Sequence, residues 1–369
     1  MRVLHYVEHW LELSSGFVHA HVAHSRHRAV VVSHNATENR DAFPHRPVLR
    51  LDRLAAVVPP HRWPAFRTSS LRAIASAFRV DVVHVHFGYA VRDVLPFVER
   101  TRLPLVLSLH GSDATSLPSR QPGHYDPVVD RVDAVVVPSR FLADVAVDLG
   151  FNRDRIHVIP AGVDTSFFSP RPLPEEPVVA FVGRFVDKKG LDVLMQAWPL
   201  VREAVPDAQL HVLGAGPLES ALPVDDPSVH RLMPDPERRT AQVRDLLWSA
   251  RAVVSPSRTA TSGDAESLLL VNLEAQACGR PVVTTRHGGI PEFVEPDGSA
   301  LLVDENDAEG LADVLIRVLR DDELARRLAE RGPSVAAQFD VRACSARVDE
   351  LYDELSGHGA GGSARRPPA

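Results

Sequence analysis

The chain has 369 residues, 44% of them hydrophobic and 24% charged, with a formal net charge of −7. That length suits two domains rather than one core, the composition is that of a soluble globular protein, and the negative balance argues against nucleic acid as a partner. No run of about 18 apolar residues occurs, the amino terminus lacks a signal-peptide pattern, and the two cysteines, Cys278 and Cys344, cannot make a disulfide framework, so a cytoplasmic protein is expected.

Short apolar, β-branched runs alternate with amphipathic helix-length segments along the whole chain. Strands are expected at residues 2–7, 29–33, 81–86, 105–109, 134–138 and 156–159, then at 178–182, 209–213, 229–232, 252–255, 281–285 and 300–303. Apolar strands alternating with helices argue an α/β fold of two doubly wound, Rossmann-like parallel sheets. Between the halves, Ser169-Pro-Arg-Pro-Leu-Pro-Glu-Glu-Pro177 has four prolines in nine residues and reads as a linker. The expected domains are 1–168 and 178–340, followed by a last helix at 341–356 and a low-complexity tail at 357–369, expected to be disordered.

In chain order, the first oddity is histidine, with 13 of 18 in the first 124 residues. His19, His21, His24 and His27 lack the spacing of a zinc site and read as exposed or cleft-lining, with no metal expected. Segment 61–79 mixes arginines with Trp63, Phe66, Ile74 and Phe78 at helical spacing. The favoured reading packs the aromatic face and solvates the arginines; weak contact with an anionic membrane surface is the alternative.

The chemistry-bearing residues follow strands. Only two of the 41 basic residues are lysines, and they are adjacent, in Gly183-Arg-Phe-Val-Asp-Lys-Lys-Gly190. Arg184 and Lys189, on the turn that Gly183 opens, suit a diphosphate clamp, lysine acting as a point charge. Gly214-Ala-Gly216 is a tight turn or a ligand contact. After a polar loop, Glu266 reads as the entrance of an apolar helix and Glu274 as two turns deeper, with free amides near Ser267 and Leu268 facing an anion. Carboxylates accept hydrogen bonds from sugar hydroxyls, so the pair suits a phosphorylated sugar.

These runs, together with Ile159-Pro-Ala-Gly-Val-Asp-Thr-Ser-Phe-Phe168 and Glu274-Ala-Gln-Ala-Cys-Gly-Arg-Pro-Val-Val-Thr-Thr-Arg-His-Gly-Gly-Ile-Pro-Glu292, resemble the retaining family-4 glycosyltransferases of the GT-B fold. His110-Gly-Ser-Asp113 resembles the exopolysaccharide, colanic-acid type branch. The resemblance implies two Rossmann-like domains facing across a cleft, with the carboxyl-terminal helix crossing back to the amino-terminal domain. It implies a nucleotide-sugar co-substrate, UDP-sugar foremost, no required cofactor, and transfer to a polysaccharide or glycolipid precursor or a small natural product such as an aminocyclitol.

Carried over by position, Arg184 and Lys189 would hold the diphosphate, and Glu274 the ribose. Glu266 and His110 would meet the transferred sugar, and Gly16 would lie in a loop near acceptor and phosphates. Gly183, Gly214, Gly216 and the stretch Ser267, Leu268, Leu269 and Leu270 complete the donor set, while Lys188 matches a less critical basic position. Leu269 departs from the glycine or proline usual there, and Leu13-Ser-Ser-Gly-Phe17 from the usual paired glycines. The absence of any Asp-x-Asp tripeptide agrees with a metal-independent, front-face mechanism. A nucleotide-sugar epimerase or hydrolase on the same fold, and a catalytically silent binding protein, are the alternatives.

Overall fold

The computed structural model describes residues 1–10, 16–35, 37, 39, 43–45, 47–53, 58–223 and 225–357. It forms two compact units, one made of residues 1–138, 142–161 and 342 onward, the other of 139–141 and 162–341. Each is a parallel α/β sheet of the expected class. Among the described residues no helix is long and apolar enough to cross a membrane.

The first unit's strands are β1 (Arg2–Val7), β2 (Arg28–Ser33), β3 (Val48–Arg50), β4 (Val82–His86), β5 (Leu105–Ser108), β6 (Ala134–Val137) and β7 (Ile156–Val158). Their spatial order is β3-β2-β1-β4-β5-β6-β7. The order reverses at β1, so a ligand is expected beyond the carboxyl ends of β1 and β4. β3 is an addition to the sequence reading: three partly buried residues on a sheet edge carry too short a pattern to stand out.

The helices here are α1 (Gly16–His24), α2 (Trp63–Phe78), α3 (Val91–Thr101), α4 (Ser112–Thr115), α5 (Leu117–Arg120) and α6 (Arg140–Asp148), whose first two residues belong to the second unit. Gly16 opens α1 rather than lying in a loop; residues 13–15 fall outside the described set. Helix α2 buries Arg67, Thr68, Leu71 and Ala75, while Trp63, Phe66, Ile74 and Phe78 stay partly exposed. Arg67 corrects the expectation of a solvated arginine face, because its guanidinium reaches the Asp93 carboxylate at 2.6 Å and the Asp93 carbonyl at 3.1 Å.

The second unit contains β8 (Val178–Val182), α7 (Leu191–Ala204), β9 (Gln209–Leu213), β10 (Val229–Leu232), α8 (Arg239–Ser249), β11 (Ala252–Ser255), α9 (Leu270–Ala277), β12 (Val282–Thr285), β13 (Ala300–Val303), α10 (Ala308–Arg320) and α11 (Asp322–Ala336). The strand order β10-β9-β8-β11-β12-β13 reverses between β8 and β11. Alternation along β8 sends Val179 and Phe181 into one core and Ala180 into another, which is why the strand reads as continuously apolar.

The proline-rich segment is fastened to this unit. Arg280 donates to the carbonyls of Arg171 and Pro172, Arg251 donates to that of Pro174, and Arg171 lies 3.4 Å over the Trp248 ring.

The last helix, α12 (Val341–Ser356), packs on the first unit, as expected. Val348, Leu351 and Tyr352 join a core with Val3, Val82, Val106 and Ala134. Asp349 accepts from Ser25 Oγ at 2.5 Å and the Arg26 amide at 2.8 Å. The tail from residue 358 lies outside the described residues.

Candidate active site

In the second unit the loops leaving β8 and β11 flank the point where strand order reverses, where open α/β sheets bind ligands. The first loop carries Gly183 to Gly190 and ends in αL geometry at Gly190, φ +63°. A β-carbon there would come within 1.9 Å of the Pro256 carbonyl oxygen, so only glycine lets the two loops meet. Asp187 ties them further, accepting from Arg258 and from the amide and hydroxyl of Thr261.

This closure brings both lysines to Glu266. Lys189 Nζ lies 2.6 Å from Glu266 Oε1; Lys188 Nζ lies 3.7 Å from Oε2 and 3.1 Å from Asp264 Oδ2. Burial alone would raise the Glu266 pKa, but Lys189 and Lys188 hold it down to about 2. Burial pushes the Lys189 ammonium down, and Glu266 opposes that. Lys188 is therefore no bystander: it is buried and completes the charge balance that lets Glu266 stay ionised.

Arg184 is exposed, and its charge acts on both Lys189 and Arg239. Arg239, at the opening of α8, was not singled out in the sequence; its only signal is a helix-start position after a strand. It faces Glu274, whose carboxyl burial raises to about 7 despite the arginine.

The helix entrance differs from the sequence reading. Helix α9 starts at Leu270, so Glu266 precedes it by four residues and Glu274 lies about one turn inside. Its unpaired opening amides belong to Leu270 and Val271 rather than to Ser267 and Leu268. The shift follows from the run after β12. The Glu266 amide donates to His287 Nε2 at 3.0 Å, so His287 Nδ1–H donates to Glu305 at 2.7 Å. A β-carbon on Gly288 would sit 2.2 Å from the Glu266 carbonyl oxygen, and one on Gly289 2.1 Å from that of Ser267. The His-Gly-Gly run thus cradles the segment outside the helix.

Gly214 and Gly216 are explained by backbone approach. The Gly183 amide bonds to Leu213 O and the Phe185 amide to Ala215 O, leaving a Gly214 β-carbon 1.9 Å from Gly183 O.

In the first unit, His110 follows β5. Asp113 accepts from the amides of His110, Gly111 and Gly88, each at 2.9 Å, which fixes the turn; this role was not read from the sequence. His110 packs among Phe17, Phe87 and His86, and burial, with a smaller push from His21, lowers its pKa to about 3. Gly16 meets Phe43. The α1-region histidines are not a cluster: His19 contacts Pro44 O, His24 contacts Ala20 O, His27 contacts Asp353, and His21 contacts the Tyr352 hydroxyl.

Comparison with known proteins finds the family descriptions "Glycosyltransferase Family 4" over residues 16–167 and "Glycosyl transferases group 1" over 176–321. WcaL of Escherichia coli (strain K12), whose name places it in colanic acid biosynthesis as a glycosyltransferase, is 32% identical over 296 residues, covering 76% of this chain and 72% of its own. A D-inositol 3-phosphate glycosyltransferase of Xylanimonas cellulosilytica is 32% identical over 329 residues, 79% of this chain and 76% of its own. Anabaena HepE, solved in complex with UDP-glucose, matches with a TM-score of 0.75 at 19% identity, over 96% of this chain and 100% of its own, and shows likeness of fold.

Proposed function

The chain belongs to the family-4, group 1 glycosyltransferases, and on that premise we propose that it is a retaining enzyme that moves a sugar from a UDP-sugar to a hydroxyl acceptor. The family's activity sets aside the epimerase, hydrolase and binding-protein alternatives. The observation that carries the donor reading is the convergence of Lys189 on an ionised Glu266 at the reversal point of the second sheet, with Arg184 and Arg239 nearby.

A departing diphosphate gains negative charge in the transition state, and cations already fixed in place stabilise it without reorganising. Lys189 and Arg184 are assigned to the diphosphate, with the opening amides of α9 adding partial positive charge. Leu270 belongs to that set by its amide, and Leu269 as the extended residue that caps the helix before it. Glu274 is assigned to the ribose hydroxyls, with Arg239 opposite it, and Glu266 to the hydroxyls of the transferred sugar. Of the two lysines, Lys189 has the partly accessible charge and Lys188 the supporting one.

His110, in the first unit, is assigned to the transferred sugar, as an uncharged imidazole with one nitrogen to donate and one to accept a hydrogen bond. The acceptor is assigned to the class of polysaccharide or glycolipid precursors or small hydroxylated natural products, which the WcaL and inositol-phosphate relatives support by their names.

The test is turnover of a UDP-sugar panel by purified protein with chelator present, and anomeric analysis of the product. Transfer with retained configuration is expected. Inversion would overturn the mechanism, and no binding or consumption of any UDP-sugar would overturn the donor.

A further inference from the structure

Three histidines that the reading above does not use meet inside the first unit. His5 of β1 and His84 of β4 are register partners in the parallel sheet, and His86 is two residues on, so all three side chains leave the same face. All three are at most 2% exposed. His84 and His86 stack with centroids 4.1 Å apart.

The hydrogen bonding of this group is incomplete. His5 Nδ1 and His86 Nε2 lie 3.0 Å apart and share one proton between them. The other nitrogen of each ring, His5 Nε2 and His86 Nδ1, is buried without a partner among the described residues. Either tautomer therefore buries one N–H and one lone pair unmatched, which opposes folding. A purely structural core position would be cheaper as leucine or valine, which fill the neighbouring positions of both strands.

We propose that His5, His84 and His86 form a binding site for a late first-row divalent cation, Zn²⁺ foremost. One nitrogen from each ring lies within 4.8 Å of the others. Ligands on a tetrahedral zinc with bonds of about 2.0–2.1 Å stand about 3.3 Å apart; the ion takes the place of the proton that His5 Nδ1 and His86 Nε2 share at 3.0 Å, leaving the outer nitrogen of each ring as an N–H, and small side-chain rotations bring in His84. His84 is oriented from both sides, by Ser108 Oγ at 2.7 Å and by the Tyr352 hydroxyl; it keeps one of these contacts while its other nitrogen turns to the ion. Three imidazoles and no carboxylate select zinc, nickel, cobalt or copper over magnesium and calcium, which require oxygen. A cavity of about 50 Å³ beside the group, lined by His21, His84, His86, Ser108 and His110 among others, has room for a water as fourth ligand. The site ties β1 to β4 and, through Tyr352, to α12; it does not rest on the donor reading.

The test uses the full, untagged chain, stripped with chelator and returned to metal-free buffer. Titration with Co²⁺ followed by visible absorption, and Zn²⁺ content after gel filtration, should show one equivalent in tetrahedral coordination. His5→Phe and His84→Leu should each weaken Zn²⁺ binding at least about tenfold, whereas the control His157→Ala should leave it unchanged. Absence of a stoichiometric tetrahedral Co²⁺ spectrum in the wild-type chain overturns the proposal whatever the variants do, and would assign the cavity to water. Binding retained by both variants overturns it too, by locating the metal elsewhere. UDP affinity measured on the same samples reports the donor site separately.

Discussion

Lys188 and Lys189 are neighbours in the chain with unequal tasks. Lys188 is buried between Asp264 and Glu266, so removing its charge takes a cation from Asp264 and leaves Glu266 with Lys189 alone. Lys188→Met should lower the unfolding free energy by about 3 kcal/mol in urea denaturation. Lys189 holds Glu266 at 2.6 Å with a single compact ammonium, and an arginine there would bring a larger planar fork into a buried site shaped for a point charge. Lys189→Arg should weaken UDP-sugar binding by about tenfold or more, read by calorimetry, with stability nearly unchanged; normal affinity would refute the need for a point charge. Glu274 supplies a pH dependence with a definite sign. Burial raises its carboxyl to about 7, and under the proposed role it accepts from ribose hydroxyls most strongly when ionised. UDP affinity should therefore rise by up to about tenfold per pH unit below about pH 7 and level off above it, and Glu274→Gln should abolish the slope. Arg184, Lys189, Glu266 and Glu274 were all legible as a charge pattern after strands, but the burial of Lys188 and the electrostatic influence of Arg239 on Glu274 were not, because both depend on residues more than 30 positions away.

At the scale of elements, every strand but the short edge strand β3 was read within a residue, because both faces of each sheet are covered and the internal strands are largely apolar. The start of α9 was misplaced for a physical reason. Ser267 and Leu268 have a helix-like pattern, but the His287–Gly288–Gly289 run packs on the backbone at Glu266 and Ser267 and holds it outside the helix. Gly288→Ala tests this directly. The residue sits at φ +51° with its missing β-carbon 2.2 Å from the Glu266 carbonyl oxygen, so a methyl group must push the strand of backbone that carries Glu266 away. A loss of about 2–3 kcal/mol is expected from strain and overpacking together. Transfer should fall further than the folded fraction does, measured as kcat on material that still melts cooperatively.

At the scale of the molecule, α12 shows how one terminal element completes a distant fold. The sequence marks it as amphipathic but does not say which surface it covers; the answer lies in the faces of β1, β4, β5 and β6, where Val3, Val82, Val106 and Ala134 leave an apolar surface that Val348, Leu351 and Tyr352 fill. Burying these three side chains contributes about 2 kcal/mol each, before counting the Asp349 contacts to Ser25 and Arg26. That sum is comparable to the net stability of a typical domain, about 5–15 kcal/mol. A chain ending at Asp340 should therefore lose amide-exchange protection in β1, β4 and β5 while β8 and β11, whose cores contain no residue of α12, keep theirs and UDP binding persists. Equal protection in both sheets after truncation would mean that the first unit's core is self-sufficient. Loss of protection in both would mean that the two units fold as one cooperative body, with the helix acting on the whole chain rather than on the sheet it covers.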